Sequence, residues 1–138
     1  MSGTLLLPED LKRRVTAEAR AAWPAECCGL IEGVRDGDRF EALAIHPTKN
    51  GRTEPDRFEI DPAAHIGLMR ALRGSGRSII GCYHSHPGGR PEPSAHDREN
   101  GGSADFLWLI AGLAGPSGEV LLGGFRGEAF EPVQLVSA

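Results

Sequence analysis

The stretch that most narrows what this chain can become is residues 82–97, Cys-Tyr-His-Ser-His-Pro-Gly-Gly-Arg-Pro-Glu-Pro-Ser-Ala-His-Asp. Ahead of it, Arg77 to Tyr83 reads as a short apolar strand bounded by glycines. If that strand runs on through His84 and His86, period-2 alternation puts both imidazoles on one face and Ser85 on the other. Their Cα atoms are then roughly 6.6 Å apart, near enough for both rings to reach one ion. Pro87, Gly88, Gly89, Pro91 and Pro93 turn the chain sharply and deliver Ser94 and Asp97. These two are three residues apart and share a face on the first turn of a helix. Two neutral nitrogens and one carboxylate leave a fourth position open, the ligand count of a catalytic zinc rather than a closed structural one.

The rest of the composition is compatible with such a site. At 138 residues the chain reads as a single domain over 1–138, long enough to bury its own core. A net charge of -4 and the lack of a basic stripe argue against nucleic acid as the main partner. Lys12, Arg13 and Arg14 cluster, but Glu9, Asp10 and Glu18 dilute them. Three cysteines cannot all pair, and Cys27 and Cys28 are neighbours, which points to free thiols in a reducing compartment. Leu5-Leu6-Leu7 is too short for a signal segment, and no apolar run is long enough for a membrane span. The expected location is the cytoplasm.

In chain order, residues 1–7 are a lead-in, read as an edge strand. Pro8 opens a helix to Ala22 with Glu9 and Asp10 in its first turn. Its stripe of Leu11, Val15, Ala19 and Ala22 is either wholly core or partly the face of a homodimer. Pro24 ends it. Glu26 to Ile31 enters a buried strand, Arg35 to Arg39 turns as a hairpin, and Phe40 to Ile45 returns. Residues 46–57 have no periodicity and are rich in turn formers, the mark of a functional loop or of a plain connector. Phe58 to Ile60 is briefly extended. Pro62 to Leu72 is a second helix with Asp61 as N-cap and Gly74 past its end, its stripe of Ile66, Met69, Leu72 and Leu68 expected to pack on the sheet. A short helix from Ser94 to Asn100, stopped by Gly101-Gly102, precedes three strands: Phe106–Leu113, Glu119–Phe125 and Phe130–Val136. This order predicts an α/β chain with a mixed sheet and helices on both faces.

Each candidate residue has a plainer reading. Ser94 to Asp97 is also a capping-box pattern, and a metal would compete with the cap for the Asp97 oxygens. Glu26 is either a solvated loop acid or a carboxylate desolvated against Cys27, Cys28, Leu30 and Ile31, which would raise its pKa towards that of a general base. Cys82 shares the histidine face but lies deeper, as a small buried thiol would. Cys27 or Cys28 as a nucleophile, with His84 or His86 as base, leaves Ser94 and Asp97 without roles.

The run His84-Ser85-His86-Pro87, a spacer, then Ser94-Ala95-His96-Asp97 resembles the signature of the JAMM (MPN-plus, Prok-JAB) metalloproteases. Upstream, Pro24-Ala25-Glu26-Cys27-Cys28-Gly29-Leu30 resembles the glutamate-bearing segment of the same family, and Arg57 to Pro62 is a weaker likeness. The resemblance implies a JAB1/MPN-like fold, related to that of cytidine deaminases, with a curved mixed sheet flanked by helices. It implies His84, His86 and Asp97 as ligands of one zinc with water as the fourth. It further implies Glu26 as base and proton shuttle, Ser94 as hydrogen-bond donor to the water or the developing oxyanion, and no ligand role for His96. No His-Glu-x-x-His is present, nor the His-x-Glu with Pro-Cys-x-x-Cys of the nucleobase deaminases.

Family members cut amide or isopeptide bonds at the C-terminus of ubiquitin-like proteins. A small chain of this kind implies a partner that is a ubiquitin-like sulfur-carrier protein ending in Gly-Gly, with neither nucleic acid nor membrane involved. The alternatives are an isopeptidase acting on protein conjugates and a metal-free scaffold. The 46–57 loop is either one wall of the tail groove, with Arg52 or Arg57 contacting tail carbonyls or an acidic carrier, or a solvated connecting loop.

Overall fold

The structure, a computed structural model, describes residues 3–51, 59–99 and 106–137. Arg52, Arg57 and Phe58, and the helix stop at Gly101-Gly102, lie outside the described residues.

The apolar segments pair into one sheet. In chain order the elements are β1 (Thr4–Leu7), α1 (Glu9–Ala22), β2 (Cys28–Asp36), β3 (Arg39–Thr48), α2 (Pro62–Leu72), β4 (Ser78–Pro87), α3 (Ala95–Glu99), β5 (Leu107–Leu113), β6 (Val120–Arg126) and β7 (Glu131–Ser137). The spatial order is β1-β3-β2-β4-β5-β6-β7, and β7 pairs back onto β1, so the sheet closes into a barrel. The pairs β1–β3, β1–β7 and β4–β5 are parallel and the others antiparallel. The mixed α/β reading holds, whereas the expected edge strand within residues 1–7 does not. Thr4–Leu7 is flanked on both sides, with Leu5 opposite Phe40 on one strand and Leu135 on the other. Closure removes unpaired edges that would otherwise need protection.

Side chains alternate across the strands as a period of two demands. On β5, Leu107, Leu109, Ala111 and Leu113 join the larger core with Leu11, Val15 and Ala19 of α1, while Trp108 turns to a second cluster with Leu30, Cys82 and Phe130. The α1 stripe is therefore core within this chain, and each fully buried Leu or Val contributes roughly 1.5–3 kcal/mol. Arg20 near the end of α1 donates to the Gly118 carbonyl at 3.0 Å, tying the helix to the β5–β6 turn.

Helix α2 behaves differently. Asp61 caps it, accepting from the Ala63 N–H at 3.0 Å, and Gly74 just beyond has φ +78°, as the sequence pattern predicts. Its stripe is rotated from the expected one. Leu68 packs on the second cluster, but Ile66 and Met69 are 50% and 57% exposed and face solvent. The periodicity of four apolar residues did not say which side would be covered. Among the described residues, no helix is long and apolar enough to cross a membrane.

Strands β4 and β5 are parallel, so a crossover must join them. That crossover carries Gly88, Gly89, the prolines and α3, and it starts at the C-terminal end of β4. Parallel strands present ligand sites at such ends.

Candidate metal centre

Strand β4 does run on through both histidines, and their rings meet on one face with centroids 4.7 Å apart. His84 is wholly buried, edge-on to Trp108 at 5.9 Å, and His86 is partly open to the cleft. The two Nε2 atoms are 2.9 Å apart, and Asp97 Oδ2 is 3.2 Å from that of His84 and 3.0 Å from that of His86. Asp97 is only 4% exposed. The two histidines hold its carboxyl well below the usual carboxylate range despite the opposing effect of burial. Burial pushes the His84 pKa down, so that ring is neutral. Burial also pushes on His86, but Asp97 and the Arg90 carbonyl outweigh it and its pKa is raised.

The Arg90 carbonyl also sets the tautomer of His86. It lies 3.0 Å from Nδ1, and since a carbonyl only accepts, this contact favours the ring form that carries a proton on Nδ1. In the neutral ring Nε2 then presents a lone pair to the point shared with His84 and Asp97. A triangle of 2.9, 3.0 and 3.2 Å between donor atoms fits a small divalent cation. Tetrahedral zinc with bonds of about 2.05 Å separates its ligand atoms by about 3.3 Å. The donor set, two imidazoles and an ionised carboxylate, matches zinc chemistry.

Ser94 and Asp97 also complete the capping box at the start of α3. Asp97 N–H donates to Ser94 Oγ at 3.1 Å and Ser94 N–H donates to Asp97 Oδ2 at 2.9 Å. One oxygen of Asp97 thus serves the cap and also faces both imidazoles, which a carboxylate oxygen can do because it has more than one lone pair to offer. The Ser94 hydroxyl accepts at the cap and keeps its own proton to donate. His96 turns away and approaches Glu99 at 3.8 Å.

Glu26 is brought in from the other side. It sits just before β2, is 4% exposed, and with His84 and His86 forms a group whose candidate ligand atoms all lie within 4.8 Å of one another. The solvated-acid reading is therefore set aside. Its backbone is pinned at two points: Asn50 Nδ2 donates to its carbonyl at 3.0 Å, and the next N–H, of Cys27, donates to Ser85 Oγ at 2.9 Å. Ser85 stands between the two histidines on the opposite face, as alternation requires, so one strand sets the position of both imidazoles and, through Cys27, of the carboxylate. Asn50 also accepts from the Glu59 N–H at 3.0 Å, which ties Glu59 to the residue that holds the Glu26 carbonyl.

The cleft that opens here is lined by Glu26, His86, Pro87, Gly89, Arg90, Glu92, Pro93 and Ser94. Neither neighbouring cysteine is suited to nucleophilic work. Burial pushes the Cys27 thiol up to about 12 and raises that of Cys28 as well, so neither forms a thiolate near neutral pH. Cys82 is a buried thiol of the second cluster.

The structure brings together the residues that sequence reasoning named, His84, His86, Asp97, Ser94 and Glu26, and adds beside them Asn50, the Arg90 carbonyl and the aromatic wall at Trp108, which that reasoning did not name. A backbone carbonyl leaves no mark on residue type, and an asparagine in a turn-rich loop looks like any other.

Residues 8–121 match the family of prokaryotic homologs of the JAB domain. The chain is 32% identical to the desampylase of Haloferax volcanii over 97% of its own length and 96% of that protein. It is 26% identical to the CysO-cysteine peptidase of Mycobacterium tuberculosis over 81% of its length and 75% of the peptidase. The solution structure of protein DSY2949 from Desulfitobacterium hafniense superposes with a TM-score of 0.84 at 28% identity, covering 98% of this chain and 92% of that one. With that match spanning most of its length and both motif segments of the site, the chain belongs to the family of prokaryotic homologs of the JAB domain.

Proposed function

We propose that this chain is a zinc-dependent hydrolase that cleaves the amide or isopeptide bond at the C-terminal Gly-Gly tail of a ubiquitin-like sulfur-carrier protein. The observation that carries the reading is the convergence of two imidazole nitrogens and one carboxylate oxygen within 3.2 Å, with the Glu26 carboxylate beside them. In this reading residues 1–138 act as one cytoplasmic JAMM/MPN-plus domain, and the closed sheet with its helices is a variant of the JAB1/MPN, cytidine-deaminase-like arrangement.

His84, His86 and Asp97 would hold the zinc. When bound, the ion supplies a Lewis acid for the scissile carbonyl and a water acidified to a pKa of about 7. Glu26 takes a proton from the attacking water and passes it to the leaving amine, which its buried position at the edge of the cleft allows. Ser94 donates its hydroxyl to the developing oxyanion while its oxygen keeps the α3 cap. Asp97 remains ionised throughout, and the Arg90 carbonyl keeps His86 in the Nδ1–H tautomer.

The substrate class is supported by the relatives' names: one is a CysO-cysteine peptidase and another a probable TtuB-protein conjugate cleaving protease. An isopeptidase of protein conjugates shares this chemistry and differs only in the leaving amine. A metal-free scaffold is disfavoured by the presence of a whole donor set. Zinc content and cleavage measured on one preparation, wild type beside Glu26→Ala, test the proposal. The substrate is a ubiquitin-like carrier extended by one residue past its Gly-Gly end. About one zinc in both proteins, with a rate lower by on the order of 100-fold or more in Glu26→Ala, supports it. Absence of zinc from folded, zinc-supplemented wild type overturns it.

A further inference from the structure

The loop that carries Arg90 does not hang free. Its 89–91 segment lies against β5 and β6 at two positions where the sequence has glycine. A Cβ at Gly112 would stand 2.7 Å from both the Arg90 carbonyl carbon and the Pro91 nitrogen, and 2.9 Å from the Gly89 oxygen. One at Gly123 would meet the Pro91 carbonyl oxygen far inside van der Waals contact. These neighbours are main-chain atoms, so no rotamer change can relieve the overlap. The two glycines stand on adjacent paired strands, Gly112 opposite Leu121 and Gly123 opposite Ile110. The loop is also tied to the end of β5, where Gly88 N–H donates to the Leu113 carbonyl at 2.7 Å.

We infer that Gly112 and Gly123 form a bare seat for the 89–91 backbone and are positioning residues for His86. The seat sets how closely the Arg90 carbonyl approaches Nδ1, and so which tautomer His86 adopts and where its Nε2 lone pair points. A loop lifted by even a fraction of an ångström stretches that 3.0 Å hydrogen bond and frees the ring to rotate or change tautomer. The consequence for zinc rests on the reading of His86 as a ligand. The consequence for the tautomer does not. Gly124 offers the internal contrast: it is next to Gly123 on β6 but faces the other way, and a Cβ there meets the side chains of Leu135 and Val133 at 2.8 Å.

The test compares wild type with Gly112→Ala, Gly123→Ala and Gly124→Ala. Three readouts are used: melting temperature, zinc affinity by chelator competition, and the ring nitrogen shifts of His86 in metal-free protein in mildly alkaline buffer. Gly112→Ala and Gly123→Ala are expected to lose the Nδ1–H signature and to bind zinc roughly 10–100-fold more weakly, the usual cost of losing an outer-shell partner. Gly124→Ala is expected to melt lower and keep both. Wild-type tautomer and wild-type affinity in a folded Gly112→Ala or Gly123→Ala overturn the inference. So does failure of both to fold beside a folded Gly124→Ala, since the glycines are then needed for the sheet itself. Wild type that takes up no zinc sinks the reading of the site instead, and the tautomer comparison still decides the seat.

Discussion

Two carboxylate–histidine clusters stand at opposite ends of β4, and they are chemically different objects. At the N-terminal end Glu32 of β2 is gripped by Arg77 at 2.9 Å and His46 at 2.8 Å. Arg77 and then His46 lower its pKa, and the carboxylate is satisfied by a permanent cation. At the C-terminal end Asp97 meets two imidazoles and a backbone N–H, and among the described residues no arginine or lysine pairs with it. His84 is neutral, the outer nitrogen of His86 is taken by the Arg90 carbonyl, and the Nε2 atoms of both rings face the carboxylate. The first cluster is closed by its own arginine. The second has the donors for a cation that the chain does not supply, which is why a carboxylate beside a histidine is not by itself a site.

The comparison can be broken most sharply with Asp97→Asn. This variant keeps a side-chain acceptor for the α3 cap but removes the charge. Its zinc affinity should fall by more than the roughly 10–100-fold that loss of an outer-shell partner costs, with activity falling alongside. Zinc should raise the melting temperature of wild type and not of this variant, as ligand linkage requires. A wild-type zinc response in Asp97→Asn would remove Asp97 from the ligand set.

Ser94→Ala separates two roles of one hydroxyl. Loss of the cap should cost about 1 kcal/mol of stability. Loss of the oxyanion contact should cost on the order of 100-fold in kcat with little change in zinc content. If kcat holds while the melting temperature drops, the hydroxyl is a cap and nothing more.

Glu32→Gln should act in the opposite sense, leaving zinc binding and kcat near wild type while lowering stability by about 1–3 kcal/mol near neutral pH. The folded-state pKa of Glu32 is lowered, so its contribution is present above the unfolded carboxyl value of about 4.3 and is lost as pH falls through the folded value. The gap in melting temperature between wild type and Glu32→Gln should therefore close on acidification below about pH 4. A gap that stays constant with pH would mean that packing, not charge, accounts for it.

The smallest effect belongs to Ile66→Ser on the outer face of α2. An exposed side chain at 50% should cost within about 0.5 kcal/mol by thermal or denaturant unfolding. A loss of several kcal/mol would restore the rejected expectation that Ile66 packs on the sheet.

Much of the candidate centre was legible because its pieces are local. His84 and His86 share a face through strand alternation, Ser94 and Asp97 through helix spacing, and the α1 stripe through its recurrence every three or four residues. Backbone geometry alone dictates such relations. What could not be read was which distant segments would meet. Sequence gave no reason to pair Thr4–Leu7 with Gln134–Ser137 and close the sheet. Nor did it say that α2 would turn Ile66 and Met69 outward, or that Arg90 would lend a carbonyl to His86 across a seat of two glycines.

By itself, then, the sequence determined the donor types and their local phase, because φ/ψ geometry converts spacing into direction within one strand or one helical turn. Tertiary structure alone decided the burial of Glu26, the tautomer of His86 and the closure of the barrel. Each depends on contacts between residues far apart in the chain, whose free energy comes from packing and desolvation that no local pattern encodes.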